Sequence, residues 1–301
     1  MQTGSPPPDS QPDAPLPGKT ERHPQLEAWR ELLDRFARKA SPRRVHALRI
    51  ATLRLQAALE HRLREQIQDA GEVRAVKRWN KHGKRLRRAL EPVREADVCL
   101  ELLGSLRDPT PEPDWHLPQR SSLCLREIEA LESSLKRRRA AAAEALLAEI
   151  EDHRKRLLQC SQQMEKALES YGTGEPAAQA AGQLFDRLAG EFPELNGGNL
   201  HAYRKQLKTV RYLAETGADD EALRLAKACR KMLNAAGAWH DWQALAKEAK
   251  RRLPKRGKED GLLAVLRTVE EEALRRALDI CRRHAARLVA GSCGNGSAAQ
   301  L

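Results

Sequence analysis

The sequence predicts an all-α protein, and three observations lead there. Ala, Leu, Arg, Glu and Lys dominate the chain between its two ends, and no stretch carries a convincing strand pattern. Proline- and glycine-bearing breaks divide the chain into segments of roughly 15–25 residues, an ordinary helix length, with a few longer runs. Two distant stretches also open with the same phrase: Val45-His46-Ala47-Leu48-Arg49 and Leu200-His201-Ala202-Tyr203-Arg204.

Taken in order, residues 1–20 are rich in Pro, Ser, Gln and Asp and read as a disordered arm. Breaks follow at Ser41-Pro42, Asp108-Pro109 to Pro118, Tyr171 to Pro176, Pro193 to Gly198, Gly217 to Asp220 and Pro254 to Gly261. The run from Ser121 to Ser170 has no break and reads as a single long helical hairpin arm. From Gly291 to Leu301 the composition turns to Gly, Ser and Asn, a flexible tail. Connections this short favour antiparallel neighbours and hence helical bundles.

The second copy of the phrase is the more informative. From His201 the spacing i, i+3, i+7, i+10 gives His201, Arg204, Lys208 and Arg211 on one side of a helix. Leu200, Tyr203, Leu207 and Val210 repeat that spacing one residue earlier and form the apolar side. A stripe of like charges weakens a helix slightly at each i,i+4 contact, and an anionic partner would offset that. The phrase around His46 is followed by a basic segment, Lys84 to Val98, and the one around His201 by Arg230 to Trp242. Each segment is expected to end in a small turn carrying an acid, Glu95 or Asp241. The pairing implies an internal duplication: two bundles related by a pseudo-twofold axis, with halves near 21–170 and 183–290.

Charge narrows the partner. Lys and Arg number 54 against 42 Asp and Glu, for a formal charge of +12 and a pI near 9.7, which favours polyanions. Aromatic residues make up 4% of the chain, too few for a surface built to stack bases. There is no apolar run long enough to span a membrane and no secretory h-region, so no membrane role is expected. Six cysteines without metal-like pairing are expected as small buried hydrophobes in a reducing compartment, which points to the cytoplasm.

Arg49, Arg54, Arg204, Lys208 and Arg211 are the leading anion ligands, guanidinium offering forked donors and ammonium a compact charge. Lys84, Arg87, Arg88, Arg230 and Lys231 follow, either facing the same ligand or water. His46 and His201 read as phosphate contacts or as hydrogen-bonded interface residues. Neither has a metal-like partner or an orienting acid, so no catalytic or metal role is assigned. Glu95, Asp97 and Asp241 read as caps or ion-pair residues, Trp239 and Trp242 as packing beside a turn, and Lys136 to Arg139 mainly as a solvated patch. Pro17-Gly18-Lys19-Thr20 resembles the end of a P-loop, but position 13 is Asp where that motif needs Gly.

The phrases together resemble the CHAD family, the conserved histidine α-helical domains. The matching residues are Val45, His46, Leu48, Arg49, Ala51, Arg54, Leu90, Arg94, Asp97 and Val98 in the first half. In the second they are Leu200, His201, Arg204, Lys208, Arg211, Tyr212, Glu215, Gly237 and Asp241. The likeness covers about residues 22–290. It implies two four-helix bundles lining a basic channel, Tyr212 as a further site residue, and inorganic polyphosphate as the ligand. It also implies binding without catalysis, no cofactor, and an association with polyphosphate granules. The chain departs from the pattern at Leu53 and Gln56, where the family is usually basic, at Glu91 for a glycine, at Glu95 for an Asp, and at Thr209 for an Arg. Nucleic acid remains the alternative partner on charge alone; an accessory role in phosphohydrolysis ranks behind it.

Overall fold

The computed structural model of the chain describes residues 24–65, 69–107, 121–169, 177–217, 219–253 and 261–295. Those residues form α1 (Pro24–Arg38), α2 (Pro42–Glu65), α3 (Ala70–Arg107) and α4 (Ser122–Glu169), then α5 (Ala177–Glu191), α6 (Leu200–Ala214), α7 (Asp220–Arg252) and α8 (Leu262–Asn295). Among the described residues there is no strand. The expected arm, including its P-loop-like phrase, lies outside them.

All six expected breaks coincide with helix boundaries. A further one falls between Glu65 and Ala70, where Asp69 Oδ1 accepts the Glu72 N–H at 2.8 Å and caps α3. Two expectations need correcting. No turn interrupts α3 near Glu95 or α7 near Asp241; both helices run on for three turns or more. Pro92 inside α3 costs about 3 kcal/mol and Gly237 inside α7 about 1 kcal/mol. Each buried Val or Leu side chain returns about 1.5–3 kcal/mol. Leu90, Val93, Cys99 and Leu103 flank Pro92, and Met232, Trp239, Trp242 and Leu245 flank Gly237, all buried. Burial on both sides therefore outweighs each breaker. The second correction is at the C-terminus, where α8 continues through Asn295 and takes in the first five residues of the expected tail, from Gly291. Extending an existing helix is far cheaper than nucleating one.

The apolar interior falls into two clusters. The smaller gathers α1, α2, the first half of α3 (Val76, Trp79, Leu86, Leu90) and the second half of α4 (Leu146, Ile150, Leu157). Trp29 meets Trp79 edge-on at 5.4 Å and donates its indole N–H to Thr52 Oγ1 at 3.0 Å, locking α1, α2 and α3 together. The larger gathers α5 to α8 and also the end of α3 (Cys99, Leu103, Leu106) and the start of α4 (Cys124, Ile128, Leu131, Leu135). Cys99, Cys124, Cys160, Cys229 and Cys281 are all free and buried.

α3 and α4 run antiparallel through both clusters. Arg78 reaches Gln163 near one end (3.4 Å) and Arg107 reaches Glu132 near the other (2.9 Å). Between them Arg139 donates to Asp97 (2.8 Å) and to the Ala40 carbonyl (2.9 Å). Arg138 pairs with the buried Glu248 of α7 at 2.7 Å and lies 3.8 Å from Glu95. Arg138 and Arg139 are thus bolts between helices rather than a solvated patch. Glu95, Asp97 and Asp241 are ion-pair residues in mid-helix, not caps, with Asp241 at 3.9 Å from Arg94. No helix among the described residues is long and apolar enough to cross a membrane.

Candidate anion-binding cavity

α6 takes its position from a polar loop and an apolar face. Asn196 Oδ1 accepts the N–H groups of Gly198 (2.9 Å) and Asn199 (3.2 Å), and Asn199 Oδ1 accepts that of Asn196 (2.8 Å). This closes the chain into the helix one residue before His201. Leu200, Tyr203, Leu207 and Val210, the expected apolar side, are all buried. The cationic side is thereby turned toward α2, which packs against α6.

Between α2, α3, α6 and α7 lies a cavity of about 520 Å³. One wall is α6 with α7: His201, Arg204, Lys205, Lys208, Thr209 and Tyr212, joined by His240. The facing wall is α2 with α3. α2 contributes Arg49, Leu53, Gln56, Ala57 and Glu60, and α3 contributes Lys84, Arg87, Arg88 and Glu91. Each set recurs at i, i+3 or i+4, i+7, so a single helix face supplies it. Seven cationic side chains and two histidines thus converge with two carboxylates.

The two walls hold their charges differently. On the α2–α3 wall Glu91 accepts from Arg49 twice, at 3.0 and 2.6 Å. Arg87 donates to Gln56 at 2.5 Å, and Gln56 donates onward to Glu60 at 2.6 Å. On the α6 wall Arg204 and Lys208 have no hydrogen bond or ion pair among the described residues, and Arg204 Nε is buried without a partner. Burial, then the charges of Arg204 and Arg49, push the Lys208 ammonium down to about 8. His240 sits 4.9 Å from His201, ring centre to ring centre. Burial, then the positive charges of Arg204 and its neighbours, push it down to about 4. His201 shifts the same way, from burial and then from Lys205 and Arg204. A buried donor left unmatched costs about 1–3 kcal/mol, and an incoming anion relieves that cost.

Of the residues singled out from sequence, Arg49, Lys84, Arg87, Arg88, His201, Arg204, Lys208 and Tyr212 line this cavity. Arg54, Arg211 and Arg230 do not. They converge instead on Glu215, at 2.9, 2.8 and 3.7 Å. Burial pushes the Glu215 carboxyl up, but the hydrogen bond from Arg211 and the charge of Arg54 outweigh it and hold the carboxyl below its usual range. That cluster ties α2 to α6 and α7 beside the cavity, and the Arg211 guanidinium lies 5.4 Å over the Tyr212 ring. His46 is exposed and outside the lining. Partial desolvation of the ring, then the charges of Arg94 and Arg49, shift its imidazole down. Lys231 is exposed on α7, on the side of His284.

Two basic lining residues, Lys205 and His240, are not singled out from sequence, nor are Ala57 and Glu60. Lys205 lies four residues after His201, and that spacing alone marks it. His240 belongs to the Trp239-His240-Asp241 phrase, and nothing local announces that it meets His201. Leu53, Gln56, Glu91 and Thr209, four of the five departures from the family pattern, all line the cavity.

The family model described as CHAD domain matches residues 22–250, ending within α7 and leaving α8 outside. No curated protein and no solved structure matches the chain. The match covers most of the chain, and this protein belongs to the CHAD domain family.

Proposed function

We propose that this protein binds inorganic polyphosphate in the cavity between α2–α3 and α6–α7 and does not turn it over. The observation that carries the reading is the α6 wall, where Arg204 and Lys208 stand half-buried with no hydrogen bond or ion pair among the described residues. Such cations ask for a ligand with densely spaced negative charge, which a linear phosphate polymer supplies. Polyphosphate is favoured over nucleic acid because Tyr212 is the one aromatic lining residue besides the histidines, and it is buried under Arg211. Bases would find no stacking platform.

The reading extends to an internal duplication in which α2–α3 and α6–α7 supply equivalent walls, and to a cytoplasmic protein drawn to polyphosphate granules. The deciding experiment is a competition at fixed salt between long-chain polyphosphate and RNA of equal total charge. Polyphosphate is expected to win, with affinity falling steeply as salt rises because condensed counterions are released. Preference for RNA, or affinity indifferent to salt, would overturn the reading. Phosphate release by pure protein that is lost in Arg204→Ala would overturn the non-enzymatic part.

A further inference from the structure

The cavity does not end the positive surface. From its edge, Arg88 and Lys84 continue along α3 into Lys81, Lys77 and Arg74. These five positions step by three or four residues and occupy the side of α3 opposite its buried face of Val76, Trp79, Gly83, Leu86 and Leu90. All five residues are exposed. They span about 21 Å at the rise of an α-helix.

The stripe differs from the other exposed faces of this protein. On several of them cations are matched by an acid a turn away: Arg35 with Glu31, Lys136 with Glu132, Arg156 with Asp152, Arg275 with Glu272, Arg283 with Asp279. On the α3 stripe no member has a hydrogen bond or ion pair among the described residues. The one acid between Ala70 and Leu90, Glu72, lies on the core-facing side. The stripe also has a polarity. One heptad beyond Arg88 the position is Glu95, so the unmatched charge begins at the cavity and runs only toward the start of α3. The same five-position spacing on α7 reads Asp220, Leu223, Lys227, Arg230 and Asn234, with Arg230 3.7 Å from Glu215. A solvated helix face needs no such one-sided arrangement.

We propose that the exposed face of α3 from Arg88 to Arg74 is a track that carries the part of a polyphosphate chain emerging from the cavity. It makes the protein a reader of chain length: short chains fill the cavity alone, and long ones add the track. The inference rests on the polyphosphate reading of the cavity.

The test uses the full chain with two probes, tripolyphosphate and long-chain polyphosphate. The variant is Arg74→Gln with Lys77→Gln and Lys81→Gln, none of which lines the cavity. It is expected to bind tripolyphosphate as the wild type does and to lose about tenfold in affinity for the long chain at low salt. Its salt slope should be shallower by about two to three, one unit for each lost contact, by analogy with DNA. A control of equal charge change, Arg126→Gln with Lys250→Gln and Arg267→Gln on other exposed faces, is expected to behave as wild type.

Unchanged long-chain affinity in the track variant, or an equal loss in the control, would overturn the track. An equal loss for tripolyphosphate would overturn it too, since the residues would then act through the cavity. If the track variant lost RNA binding and kept long-chain polyphosphate binding, the face would be a nucleic-acid surface and the proposal wrong. A wild-type protein that binds neither phosphate probe refutes the cavity reading itself, a result distinct from all of these.

Discussion

The two walls of the cavity differ in how their half-buried cations are held, while the exposed Lys84 and Arg88 on the α2–α3 wall are unpaired among the described residues. Each wall lines the cavity with side chains at i, i+3 or i+4, i+7 on single helix faces, basic throughout on α6 from His201 to Lys208 and mixed with Leu53, Gln56, Glu60 and Glu91 on α2 and α3. On the α2–α3 wall Arg49 is already held by Glu91, and Arg87 is engaged through Gln56 with Glu60. On the α6 wall Arg204 and Lys208 face the cavity with no hydrogen bond or ion pair among the described residues, at a visible cost in the depressed Lys208 pKa. A count of cations misses this difference. Free guanidinium and ammonium groups are ready for a ligand, whereas a paired arginine must first exchange a carboxylate for it.

The largest test of this contrast is paired replacement. Arg204→Ala with Lys208→Ala removes two charge-assisted contacts worth about 1.5–3 kcal/mol each. Polyphosphate affinity should fall by about two orders of magnitude or more, at tenfold for each 1.4 kcal/mol. Arg49→Ala with Glu91→Ala removes a pair that is largely self-satisfied, and affinity should change by less than about fivefold, under 1 kcal/mol on that scale. Titration of the two variants, both shown folded by circular dichroism, breaks the comparison if the losses are equal.

A change in the other direction follows from Glu91 alone. Glu91→Gln leaves a hydrogen-bond acceptor beside Arg49 but removes the negative charge from the cavity. Affinity should tighten by about five- to tenfold, roughly 1 kcal/mol. Weaker binding would mean that Glu91 is needed to hold Arg49 in place.

The cost on the α6 wall is readable without ligand. Lys208 is depressed from 10.5 to about 8, so the folded state binds its proton less tightly than the unfolded chain. The penalty is complete below pH 8 and fades as pH rises toward 10.5, because the folded protein then sheds the proton. Lys208→Met should therefore raise the melting temperature of the empty protein at pH 7 by about 2–4 °C for each kcal/mol relieved. The gain should vanish near pH 10. A variant less stable than wild type at pH 7 would show that the ammonium makes favourable contacts.

The smallest effect belongs to His240. It is neutral at pH 7, and phosphate beside it favours the protonated ring. Affinity should rise as pH falls from 7 to 5, by about twofold more in wild type than in His240→Gln. In the empty protein the sense is reversed. A depressed histidine contributes stability above pH 6.5 that is lost as pH falls toward 4. Identical pH profiles for the two proteins would remove His240 from the proton balance.

Much of this site was legible in the sequence because helical period alone sorts α6 into an apolar and a cationic face. Tyr203 and Leu207 went into the core and Arg204 and Lys208 into the cavity, as the spacing required. The period does not say which cations are already matched. Arg54 lies 161 residues from the Glu215 that holds it, and no local pattern encodes that contact. Arg211 was a milder miss, since Glu215 stands four residues on and i,i+4 pairing is readable. The turns expected at Glu95 and Asp241 do not form because a breaker such as Pro92 or Gly237 is local, while the burial that overrides it comes from other helices. The start of α3 is the reverse case: Asp69 with Glu72 three residues on is a capping signature that stands without a proline or glycine cluster to mark the break.

The division of the core has a mechanical consequence. α3 lends Lys84, Arg87, Arg88 and Glu91 to one wall of the cavity, yet its far end, from Cys99 to Leu106, is embedded in the cluster that supports the opposite wall. α4, bolted alongside it, does the same in reverse. The two lobes are thus cross-braced by a pair of stiff beams, and the gap cannot widen by one lobe swinging from the other. Pro92, which lacks a backbone N–H and could soften the beam, sits inside the first anchorage, clamped between the buried Leu90 and Val93. The width of the gap is therefore fixed in advance, and a flexible thread must conform to the slot rather than the slot to the thread.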